Sequence, residues 1–178
     1  MSDFALFVEH LEAPEYVHVL LNPLPVYGMA AGAFLLLFSL LTRNAKASTG
    51  PLLWLILVAI ATWFAEEYGE KAYDRVYAMS GTEAQQWLDV HMKRAETFGY
   101  LFYAVGISAA GALFASRRWP SVSRSLSGLT LLLAMVAVGL GGWISQAGGR
   151  VRHSEFRDGP PAADQLPPAD EHQEHSQR

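Results

Sequence analysis

The chain contains no cysteine. That excludes disulfides, thiolate zinc or iron–sulfur sites, haem attached through a Cys-x-x-Cys-His motif, and cysteine nucleophiles. Charge is also scarce: 17% of the 178 residues are charged against 51% hydrophobic, and the charges fall outside four apolar runs. A soluble domain of this length would spread its charges along amphipathic elements, so the segregation argues for a membrane protein. The net charge of −4 gives no reason to expect nucleic-acid binding. Residues Met1 to His10 lack a positive n-region and a small-residue cleavage site, so no signal peptide is expected. None of the apolar runs carries a charge near its middle, which argues against an ion pump or a proton wire through the bilayer. No serine stands in a nucleophile-elbow context, and no internal repeat of fixed period is visible.

What is present reads as an all-α integral membrane protein, a bundle of four transmembrane helices. Residues 1–14 form an interfacial arm, in which Phe4, Phe7, Val8 and Leu11 recur at helical spacing with Glu9 and Glu12 off the stripe. Residues 15–157 form the membrane domain, with spans at about 24–41, 51–65, 97–116 and 126–147. At ~1.5 Å per residue, about 20 residues cross a ~30 Å hydrocarbon core. Pro23 and Pro25 predict an irregular approach to the first span. Residues 158–178 hold almost nothing to bury and are expected to be a disordered tail.

Charge sets the expected topology. The 43–50 and 116–125 connections carry Arg43, Lys46, Arg117, Arg118 and Arg124 and no acid, while every Asp and Glu lies on the other side. The positive-inside rule then places both termini and the 66–96 segment outside, in the periplasm of a bacterial inner membrane. With that topology His18, His91 and His153 each stand about six residues beyond a span end, and Glu66 and Glu67 cap the second span. Four helices thus deliver a histidine or a carboxylate to one face. Arg94 lies one turn from His91, and Arg150 and Arg152 adjoin His153. The plain alternative is that each histidine is a solvated flank. The absence of histidine from the basic connections favours a shared site. Tryptophans and tyrosines near span ends read as an aromatic belt. Gly28, Gly32, Gly106, Gly111, Gly128, Gly141 and Gly142 suit close helix approach, within the bundle or in a homo- or hetero-oligomer.

Three stretches carry a resemblance. They are Tyr16-Val-His-Val-Leu-Leu-Asn-Pro-Leu-Pro-Val-Tyr-Gly28, a histidine opening the third span, and Gly148-Gly-Arg-Val-Arg-His-Ser-Glu-Phe156 after the fourth. Over roughly residues 15–157 the chain resembles the bacterial four-span membrane family catalogued as domain of unknown function 2231. That family often has a second histidine in the first motif, where this chain has Pro23. The positions that match the family's remaining histidines are His18, His91 and His153. Relatives fused to cytochrome c or Rieske domains imply redox work.

Two chemistries fit these residues. In the first, two of His18, His91 and His153 ligate a b-type haem, with Arg94, Arg150 or Arg152 pairing with its propionates. The chain is then an electron-transfer or accessory subunit rather than an enzyme in its own right. It would work between a quinone or membrane redox partner and a periplasmic cytochrome or other carrier. His91 and His153 carry most of the expectation, with His18 in support. In the second, the three imidazoles and Glu66 or Glu67 hold one copper, zinc or iron ion. A cofactor-free scaffold subunit is the remaining reading.

Overall fold

The computed structural model describes residues 3–42 and 46–168. Among them there is no strand, and four helical stretches are long and apolar enough to cross a membrane. Helix α1 (Asp3–His10) buries none of its residues and leaves Phe4, Phe7 and Val8 exposed. Helix α2 (Pro14–Leu21) opens on a proline, whose missing N–H costs nothing in a first turn. Pro23 and Pro25 do not break the chain. They widen it into a π-helical turn (Leu24–Gly28), which α3 (Met29–Leu41) continues. The Trp54 indole N–H donates to the Gly28 carbonyl at 2.8 Å, tying this turn to the next helix.

Helix α4 (Thr49–Ala78) runs well past the expected span end at residue 65. Its polar second half stays helical because α2 and α5 (Thr82–Phe98) supply packing partners. Helix α5 passes through Gly99 almost without interruption into α6 (Tyr100–Ala115). Helix α7 (Pro120–Arg152) spans 33 residues and ends in the short turn Ser154–Phe156. The apolar runs are therefore the inner parts of longer helices that carry their polar ends out as a cap.

Many large side chains face outward, while alanines fill much of the interior beside Met29, Leu36, Leu55 and Phe102. Phe34, Ile107 and Phe114 are 68%, 74% and 78% exposed, while Ala59, Ala109, Ala112, Ala134 and Ala137 are buried. A water-soluble fold would invert that arrangement. It is the pattern of helices whose backbones approach through small residues and whose bulky residues meet lipid. At Gly106 a Cβ would lie 2.7 Å from the Ala59 Cβ, so glycine sets the α4–α6 approach. Buried hydroxyls satisfy one another across helices, with Thr130 donating to Ser108 Oγ at 2.8 Å and Ser39 meeting Ser48 at 3.0 Å.

The arm, the second half of α4, α5 and the end of α7 gather at one end of the bundle. The connections around Lys46 and around Arg117 and Arg118 lie at the other. Arg43 lies outside the described residues.

The expected disordered tail is corrected in part. Residues 158–168 dock on the cap: Lys93 Nζ donates to the Leu166 carbonyl at 2.8 Å, and the Trp87 indole donates to Gly159 O at 3.2 Å. Leu166 packs on the small apolar cluster of Trp87, Val90, Ala147 and Val151. One leucine and two backbone carbonyls suffice where the receiving surface already offers an apolar patch and two donors. Residues 169–178, with His172 and His175, lie outside the described residues.

Candidate functional site

The cap encloses a cleft of about 1150 Å³ between α2, α4, α5 and α7. His18 and His91 both line it, and their rings meet edge to face with centroids 6.3 Å apart. Each ring is anchored in the same way. His18 Nδ1 lies 2.7 Å from the Ala65 carbonyl on α4, and His91 Nδ1 lies 3.0 Å from the Ile144 carbonyl on α7. A carbonyl only accepts, so in both rings Nδ1 carries the proton and donates. In the neutral imidazole this leaves Nε2 with a free lone pair, the arrangement found in ligating histidines.

Each ring also rests on a glycine one turn beyond its carbonyl. A Cβ at Gly69 would lie 2.9 Å from His18 Nδ1, and one at Gly148 would lie 3.0 Å from His91 Cε1. The two halves of the bundle are thus built alike. In each, a histidine on the helix leading into a span docks on the returning helix of the same hairpin. The sequence separations, 47 and 53 residues, differ, which is why no fixed period shows in the chain.

Two imidazoles that bind one ion from opposite sides at about 2 Å each place their centroids about 6 Å apart. The observed centroid distance is of that size, although it fixes the separation of the two rings and not the direction of either Nε2. Among the described residues, however, no group of three or more His, Asp or Glu is placed to hold a metal ion. The other expected donors line the same cleft but are held by neighbours. Glu67 pairs with Lys71 at 2.9 Å, and Glu66 accepts the Tyr103 phenol. His153, half exposed at the rim, meets Glu155 at 3.0 Å and stacks on Phe156. The His153 ring and a backbone N–H hold the Glu155 carboxyl below its ordinary range, the backbone bond contributing most. The structure therefore pairs His91 with His18 rather than with His153.

The arginines also divide. Arg94 is buried, donates to the Trp143 carbonyl at 2.8 Å and stacks on the Trp143 ring at 3.9 Å, so it braces α5 on α7. Arg150 stacks on Trp87 and donates to the Phe156 carbonyl. Arg152 alone of the expected three lines the cleft, joined there by Arg75, which holds Glu15 at 3.0 Å. Arg75 and Gly69 had no signal of their own in the sequence, and Gly148 stood out only as the start of the motif that holds His153. Ala65-x-x-x-Gly69 and Ile144-x-x-x-Gly148 become a pair only once each is seen to face a histidine. No family model, curated protein or solved structure matches the chain, so the site is read from its own geometry.

Proposed function

We propose that the chain is a four-span redox subunit of the bacterial inner membrane that binds b-type haem in this cleft. Both termini and the cleft stand on the periplasmic side, as the basic connections at the opposite end favour. The observation that carries the reading is the His18–His91 pair: two anchored imidazoles, 6.3 Å between centroids, in a cleft large enough for a macrocycle. Haem brings its own four equatorial nitrogens, so the protein need supply only two ligands. A bare ion would need more donors than this pair offers.

Bound there, haem would supply one-electron redox chemistry. The chain's own residues hold and shield it. The Ala65 and Ile144 carbonyls fix ring tautomer and orientation, which leaves Nε2 of each ring as the ligating atom. Gly69 and Gly148 let the rings seat against their helices. Phe102, Ile144 and Val26 line the cleft with apolar surface, and Arg152 is the cation placed to meet an anionic carboxylate, since Arg75 already holds Glu15. A redox partner on each side, a quinone or membrane subunit and a periplasmic carrier, completes the proposed role. Likeness to the four-span family belongs to the same proposal. The visible spectrum of detergent-purified protein tests it. A Soret band supports haem, bound metal without colour supports the bare-ion reading, and neither leaves a scaffold.

A further inference from the structure

Several glutamates line the cleft, and the haem reading gives Glu66 no task. Glu66 lines the cleft with Thr62, Trp63, Phe102 and Tyr103. Its Oε2 accepts the Tyr103 phenol, and among the described residues no lysine or arginine forms an ion pair with it. Room for the group is made by glycine, since a Cβ at Gly99 would collide with Glu66 Oε1. One turn back along α4, Trp63 is half exposed on a stretch whose neighbours Ile60 and Phe64 also face outward. Exposed aromatic and aliphatic surface on α4 thus adjoins a carboxylate of the cleft.

We propose that this end of the cleft binds the head group of a lipid-soluble hydroquinone, with Glu66 accepting a hydrogen bond from one of its hydroxyls. The carboxylate offers about four acceptor sites, and the Tyr103 phenol fills one. Phe102 and Trp63 provide aromatic surface for a flat ring. A primary ammonium would be drawn by the other lining carboxylates, Glu67, Glu70 and Glu96, as much as by Glu66, and it has no use for the aromatic surface beside Glu66. Position adds to the case. Ala65, whose carbonyl holds His18, immediately precedes Glu66, and both histidines line the same cleft as that carboxylate. The redox meaning of that neighbourhood rests on the haem reading, whereas the binding itself does not.

The test is equilibrium binding of a decyl-substituted benzohydroquinone to the detergent-purified full chain, without oxygen, alongside its dimethyl ether and decylamine. The hydroquinone is expected to bind saturably. Loss of the hydroxyl hydrogens in the ether should weaken binding at least about tenfold, as should Glu66→Gln, each removing a bond to a charged group. Glu67→Gln should leave it unchanged, because that carboxylate already pairs with Lys71. Should Glu66→Gln fail to accumulate, Tyr103→Phe takes its place, since it removes the phenol that orients the carboxylate, and it should weaken binding too. An ether that binds as tightly as the hydroquinone, a preference for the amine, or unchanged binding to both variants overturns the inference. A colourless protein that still binds the hydroquinone through Glu66 sinks the haem reading alone. A coloured protein that ignores the hydroquinone sinks only this one.

Discussion

His18 faces His91 across 6.3 Å, and each ring leans on a glycine one turn past the carbonyl that holds it. Two different hairpins arrive at the same local device. A pair of flanking histidines selected only for interfacial polarity would have no reason to share tautomer, anchor and packing partner.

The glycines make that device testable apart from the histidines. Gly69→Ala and Gly148→Ala should each push a ring off its seat and cost about 1–3 kcal/mol by overpacking. Any bound chromophore should shift. Gly128→Ala, where no side chain or neighbouring helix lies within 4 Å, should be neutral or slightly stabilising. Thermal melts in detergent, read beside the visible spectrum, check both. Equal melts for all three variants would show that the rings are not tightly seated.

The docked segment gives a second expectation. Truncation after Arg157 removes the Gly159 carbonyl that accepts from Trp87 and the Leu166 side chain and carbonyl on the cap. A loss of about 1–3 kcal/mol and a red shift of tryptophan emission should follow. Leu166→Ala should reproduce part of the loss. An unchanged melt after truncation would mean the segment only rests on the surface.

Orientation is checked by reporter fusions. Fusions at residues 46 and 120 should read cytoplasmic and one at residue 160 periplasmic. The reverse pattern would move the whole cleft to the cytoplasm.

Much of the architecture was legible because lipid imposes a coarse rule: uncharged runs long enough to span, separated by charge of one sign. The gathering of His18, His91 and Glu66 at one end followed from counting residues past each span. The partnership within that set did not. Pairing His18 with His91 depends on how α2 and α5 rotate onto α4 and α7, and the sequence carries that only as two glycines among fifteen. Arg94 and Arg150 looked like anion partners by position, yet each lies on a tryptophan ring that nothing in the linear spacing associates with it. The segment after Arg157 was misjudged for a related reason. Its own composition is poor in apolar residues, and the surface that receives Leu166 is assembled from α5 and α7.

The visible absorption spectrum of the purified protein and its histidine variants tests the central claim most directly. The wild type should show a Soret band that His153→Ala retains and that His18→Ala and His91→Ala each abolish. Loss of the ligand should also lower the melting temperature of those two, since binding to the folded state alone adds to its stability. A colourless wild type, or a band that survives His18→Ala and disappears with His153→Ala, would contradict the account.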